Sequence, residues 1–139
     1  MTAPDRLRIP NSLWQTMLDH VQECLPEEAC GLLAGGDGLV SEVLPVENIA
    51  HSRVRYRMEP QAQVHGLLAI EEQGLQLLGI YHSHPSGPET PSVTDRAEVY
   101  DPEALVLVWC FGSRGWQVRA FDLGGIAPLE VPIEVEGVE

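Results

Sequence analysis

The segment His82-Ser83-His84-Pro85, followed by Ser92 and Asp95, constrains this chain more than any other feature. A strand shows alternate side chains on one face, so His82 and His84 can point the same way from an extended segment. Residues 75–81 are apolar apart from Gln76 and Gly79, which predicts a buried strand ending at the pair. Pro85 cannot continue a ladder, and Ser86-Gly87-Pro88 with Pro91 make a rigid loop that turns the chain back. Ser92 then starts a predicted helix, with Asp95 on the same side within one turn. Strand end, loop and helix start bring His82, His84, Ser92 and Asp95 around one point. Two imidazoles and a carboxylate form a three-ligand site with a position left open. That donor set suits Zn²⁺, which takes nitrogen and oxygen ligands tetrahedrally.

At 139 residues the chain reads as one domain, 1–139, large enough to bury a core without staples. Its formal net charge of -13 argues against nucleic-acid and anionic-membrane partners, which would be repelled. There is no basic, apolar leader at Met1 and no apolar run of membrane-spanning length. Cys24, Cys30 and Cys110 are odd in number and form no close pair, the pattern of reduced thiols. A cytoplasmic location is the expectation. A thiol inside the apolar stretch at Cys30 reads as packed and inert.

The order of elements reads as mixed α/β on one sheet. Ile9-Pro10-Asn11-Ser12 looks like a helix entry, with Leu13, Met17, Leu18 and Val21 as an apolar stripe and Pro26 as the stop. Residues 30–34 form a small apolar strand, and Gly35-Gly36-Asp37-Gly38 turns into a second strand over 39–46. Val54, Tyr56 and Met58 alternate like a half-buried strand, which puts Arg53, Arg55 and Arg57 on its solvated face. Pro60 opens another helix, with Val64, Leu67 and Leu68 on one face and Gly74 as its stop. Residues 105–111 and 116–123 read as strands joined at 112–115. The acidic tail, about 127–139, could add one edge strand, kept at the edge by Pro132, or remain a solvated end. Trp14, Trp109 and Trp116 read as core or dimer-interface residues. His20, His51 and His65 read as ordinary surface or helix residues.

Hydrolysis of an amide at such a metal needs a proton shuttle and a group that steadies the oxyanion. Ser92 carries a hydroxyl able to donate to the oxyanion. Glu89 lies in the loop, but its proline neighbours and exposure make it a poor shuttle. Glu27 and Glu28 precede an apolar strand that can run beside the metal strand, and spacing does not choose between them.

Taken together, Glu28-Ala29-Cys30-Gly31 and His82-Ser83-His84-Pro85 through Ser92 and Asp95 resemble the JAMM (MPN+) metalloprotease family. The family's pattern is a glutamate two residues before Cys-Gly and then His-[Ser/Thr]-His-Pro. A serine follows eight residues after the second histidine, and an aspartate three further on. Every position is filled here. The resemblance implies His82, His84 and Asp95 as zinc ligands, Glu28 as general acid/base, and Ser92 as the oxyanion stabiliser. It also implies a curved, mixed, partly barrel-like sheet flanked by helices, of the cytidine-deaminase-like kind.

Relatives in this family cut after the flexible C-terminal Gly-Gly tail of ubiquitin-like or sulfur-carrier proteins. This compact chain looks like stand-alone prokaryotic members, which act on carriers of the ThiS/MoaD type. The resemblance implies such a carrier as partner, and a homodimer is plausible. Two other enzymatic readings are a RadC-like protein, sharing His84-Pro85-Ser86-Gly87 and Pro91-Ser92, and a cell-wall or phage-tail peptidase. From a different class comes a non-catalytic scaffold, although scaffolds of this family usually lose a ligand and this chain has lost none.

Overall fold

The computed structural model describes residues 3–97 and 101–137. A short strand, β1 (Leu7–Pro10), runs directly into α1 (Asn11–Cys24), because Pro10 ends the ladder and is shaped for a helix entry. The hairpin β2 (Cys30–Gly36) and β3 (Leu39–Val46) turns at Asp37-Gly38, both with positive φ. Next come α2 (Pro60–Glu72), β4 (Gln76–His84) and α3 (Val93–Ala97). The chain then continues through β5 (Leu105–Gly112), β6 (Gly115–Asp122), β7 (Leu129–Val131) and β8 (Ile133–Glu136).

All eight strands lie in one sheet of order β7-β6-β5-β4-β2-β3-β1-β8. Its two edge strands are separated in sequence by Pro132 alone. A sheet whose opposite edges join through one residue must curl until they nearly meet. The Leu7 N–H donates to the Pro132 carbonyl at 3.0 Å, which extends the β1–β8 pairing up to the bend between the two edges. The partly barrel-like sheet that the resemblance implied is therefore present. The tail supplies two strands, where the sequence predicts at most one.

Period-two alternation sends the two faces of the central strands to different cores. Leu33 and Tyr81 pack with Leu7, Ile9 and Trp109 on the side covered by α1 residues Met17 and Val21. Cys30, Leu32 and Ile80 pack on the other side with Ile70 of α2. Trp14 tilts against Trp109 at 5.2 Å between ring centroids and Trp116 packs against the same cluster, so all three tryptophans belong to the first core. A side chain on Gly31 would lie within 2.3 Å of the Tyr81 ring, so glycine is what lets that ring cross β2. Gly66 lets α2 sit close to Leu32 in the same way.

Three expectations need correction. The stretch containing Val54, Tyr56 and Met58 is a loop with one isolated bridge, Asn48 to Met58, and Val54 is 82% exposed. The side chains of Asn48 and Ser52 take up backbone groups of Val54, Arg55 and Arg57, and the Arg57 carbonyl accepts the Ile49 N–H, so no strand partner is needed. On α2 the buried residues are Gly66 and Ile70, whereas Val64 and Leu68 are about half exposed. The strand β1 escaped notice because four residues carry too little periodicity to register. Among the described residues, no helix is long and apolar enough to cross a membrane.

Candidate metal centre

Strand β4 ends at His84, and its face toward α2 carries Ile80, His82 and His84 in alternation. Beside it, β2 runs antiparallel with Cys30 opposite His82. Extending that register by two residues sets Glu28 level with His84, on the same face. Ser83, on the opposite face, ties the two chains together. Its Oγ accepts the Ala29 N–H at 2.8 Å, and its own N–H donates to the Ala29 carbonyl at 3.1 Å. Ser83 is a positioning residue that a motif search passes over, since the motif asks only for a small hydroxyl there.

From the other side, Ser92 and Asp95 cap α3 reciprocally. Ser92 Oγ accepts the Asp95 N–H at 3.0 Å, and Asp95 Oδ2 accepts the Ser92 N–H at 2.8 Å. This turns Asp95 Oδ2 toward the strand end. The atoms His82 Nε2, His84 Nε2 and Asp95 Oδ2 form a nearly equilateral triangle of 3.0, 3.0 and 3.1 Å. A tetrahedral ion with bonds of about 2.0–2.1 Å holds its ligand atoms roughly 3.3 Å apart, so the triangle is close to the required size. One oxygen of Glu28 joins the two imidazoles in a group whose ligand atoms all lie within 4.8 Å.

Burial makes the set unusual. His82 is fully buried, Glu28 is 2% exposed, and Glu28 Oε1 and His82 Nδ1 have no hydrogen-bond partner. Buried polar atoms without partners are rare, and Glu28 Oε1 belongs to the carboxyl beside the ligand triangle, whereas His82 Nδ1 is on the other side of its ring from the Nε2 that faces Asp95. His84 Nδ1 lies 2.8 Å from the Pro88 carbonyl, which can only accept. That contact assigns the proton to Nδ1 and leaves the Nε2 lone pair for a metal.

The electrostatics follow from the same packing. Burial pushes the Glu28 carboxyl up to about 8, opposed by His84 and reinforced by Asp95. Burial likewise lowers His82. At Asp95 burial acts upward, but the hydrogen bonds from both histidines win and hold it well below the usual carboxylate range. His84 is raised, its bonds to Asp95 and Pro88 outweighing burial. Burial pushes the Cys30 thiol up to about 12, consistent with a packed, unreactive sulfur.

Two further residues escaped the sequence reading. The Tyr56 ring stacks on His82, with centroids 4.8 Å apart. The buried Asn48 side chain donates to the Glu28 carbonyl at 3.0 Å. An asparagine in a loop gives no signal of such a role. His20, read as an ordinary helix residue, meets the Tyr81 hydroxyl at 2.7 Å. Glu89, the rejected shuttle, is exposed and pairs with Arg119 at 3.4 Å.

Residues 10–123 match the family described as prokaryotic homologs of the JAB domain. The chain is 39% identical over 116 residues to the probable TtuB-protein conjugate cleaving protease of Thermus thermophilus, covering 83% of this chain and 74% of that protein. It is 36% identical over 110 residues to the desampylase of Haloferax volcanii, covering 74% and 79%. It is 31% identical over 132 residues to the CysO-cysteine peptidase of Mycobacterium tuberculosis, covering 93% and 90%. Among solved structures, protein DSY2949 of Desulfitobacterium hafniense superposes with a TM-score of 0.83 at 29% identity, covering 94% of this chain and 92% of that one. A structure described as a JAMM metalloprotease-like zinc site in the proteasome and signalosome shares the fold, with a TM-score of 0.57 at 19% identity over 96% and 99%.

Proposed function

The chain belongs to the family of prokaryotic JAB-domain homologs, and from that premise we propose that it is a zinc-dependent cytoplasmic peptidase or isopeptidase. Its substrate is a ubiquitin-like or sulfur-carrier protein, cut after the C-terminal Gly-Gly tail. The observation that carries this reading is the triangle of His82, His84 and Asp95 with the buried carboxyl of Glu28 beside it. A scaffold has no need of three converging ligand atoms and a neighbouring carboxyl raised toward neutrality.

In this reading His82, His84 and Asp95 hold the metal, with the tautomer of His84 fixed by Pro88. A zinc ion there would supply Lewis-acid polarisation of the scissile carbonyl and lower the pKa of water from about 15.7 toward roughly 7. Glu28 takes the proton of the attacking water and returns it to the departing amine, a task suited to a carboxyl with a pKa near working pH. One lone pair of Ser92 Oγ is used by the cap, while its O–H can still donate to the developing oxyanion. The relatives' names support the substrate class, since they refer to a TtuB-protein conjugate and to CysO-cysteine.

The test is zinc-loaded protein incubated with carrier fusions bearing Gly-Gly before the scissile bond, read by intact mass. Cleavage after the second glycine is expected, lost on chelation and in Glu28→Ala. Loss of zinc itself is expected in His84→Ala. Absence of cleavage with zinc demonstrably bound would defeat the peptidase reading and favour a scaffold.

A further inference from the structure

Eight cationic side chains, all arginine, stand in this chain of net charge -13. Arg53, Arg55 and Arg57 crowd into one short stretch of the loop joining β3 to α2. Arg6, Arg8 and Arg119 are engaged by Glu134, Glu136 and the pair Glu89 and Glu130. Among the described residues no ion pair is found for Arg53, Arg55 or Arg57, and all three are exposed. Arg55 and Arg57 line a cavity of ≈ 490 Å³ together with Tyr56 and Thr94. Tyr56 is the ring stacked on His82, and Thr94 adjoins Asp95, so this cavity is one residue removed from the metal centre, whose own residues do not line it.

The loop is held in place by backbone bonds, among them Glu28 N–H to the Ser52 carbonyl and Ile49 N–H to the Arg57 carbonyl, and by one buried side chain. Asn48 Nδ2 donates to the carbonyls of Glu28 and Arg55 at 3.0 and 3.2 Å, and Oδ1 accepts the N–H groups of Ala50 and Arg57 at 3.0 and 2.9 Å. Every hydrogen-bonding capacity of the amide is thereby used. The backbones of both arginines are thus fixed relative to Glu28, which is preorganisation of the kind a binding subsite requires.

We infer that Arg55 and Arg57 form a carboxylate subsite, selecting leaving groups that carry a free carboxylate next to the scissile amide. Such a group is a single amino acid joined through its α-amine to the carrier's last glycine. This rests on the peptidase reading above and narrows its substrate class. A guanidinium fork matches a carboxylate in shape and charge. The cavity is of small-molecule size, too small for a folded partner. In an α-linked leaving group the carboxylate is attached to the carbon bearing the scissile nitrogen, whereas a lysine side chain brings no carboxylate there. Hydrolysis puts the water's hydroxyl on the carrier's carbonyl carbon and a proton on the departing nitrogen, so the product is a free amino acid.

The test compares two carrier substrates, each ending Gly-Gly-Ser, one with a C-terminal carboxylate and one with a carboxamide. Wild type is expected to favour the acid in kcat/KM by roughly tenfold or more, as charge-assisted hydrogen bonds allow. In the Arg55→Gln/Arg57→Gln variant that ratio falls toward one. Arg53→Gln, which removes one charge from the same loop but outside the cavity, keeps the wild-type ratio. No preference in wild type, or equal loss on both substrates in the double variant, overturns the subsite; the latter would mean that the loop grips the carrier. A second arm titrates zinc-loaded Glu28→Gln protein with the Gly-Gly-Ser peptide and its amide, following arginine Nε–H signals by NMR. The acid alone should shift Arg55 and Arg57. Equal shifts, or none at millimolar peptide, overturn the inference whether or not any carrier is cleaved.

Discussion

At Glu28 the cost of burying a charge meets the need for a proton shuttle. The carboxyl goes from 4.5 to about 8, chiefly because it is buried, with His84 opposing the rise and Asp95 adding to it. A carboxyl whose folded pKa is raised contributes stability that is full below pH 4.5 and lost as pH rises through about 8. Metal-free protein should therefore lose stability between those values, and Glu28→Gln should remove the loss. At pH 9 the glutamine variant should be more stable by roughly 2–4 kcal/mol in urea unfolding, with little difference at pH 4. A difference that does not change with pH would mean that Glu28 is not held in its protonated form.

Among the helices of the described residues, α3 is the shortest and the most consequential. Five residues make a poor helix by themselves, so the reciprocal cap of Ser92 and Asp95 supplies much of what holds it. The same bonds turn Asp95 Oδ2 toward both histidines, so helix start and site are one construction. Ser92→Ala should lower Tm by about 3–5 °C through the lost cap. It should also lower kcat by roughly 10²-fold, with a smaller effect on KM, if the hydroxyl steadies the oxyanion. A lowered Tm with unchanged kcat would leave Ser92 the cap alone. The loop between β3 and α2 is ordered without a ladder, by one buried amide that makes four bonds and by scattered backbone bonds beside it.

For the molecule as a whole, closure of the sheet depends on residues that look dispensable in sequence. The tail bends at Pro132 so that β7 pairs with β6 and β8 with β1, while Glu134 and Glu136 reach Arg6 and Arg8. Removing residues 129–139 would bare two strand edges together. The truncated protein should lose roughly 10 °C or more in Tm and self-associate in light scattering. An unchanged Tm would show that the curl is held by α1 and the inner strands. By itself the sequence determined the mixed α/β order, the β2–β3 hairpin, the strand that ends in the histidine pair, and the convergence of His82, His84, Ser92 and Asp95. Those features rest on contacts within one turn, one loop or one period of alternation, so local spacing encodes them. Spacing left Glu27 and Glu28 as equals; only the pairing of β2 with β4 sets Glu28 level with His84. Tertiary structure alone decided that the acidic tail bridges both sheet edges, that Tyr56 sits on His82, and that Asn48 pins the arginine loop. Each of those joins residues far apart in the chain, where the deciding quantity is which backbone groups are left without partners once the sheet has curled.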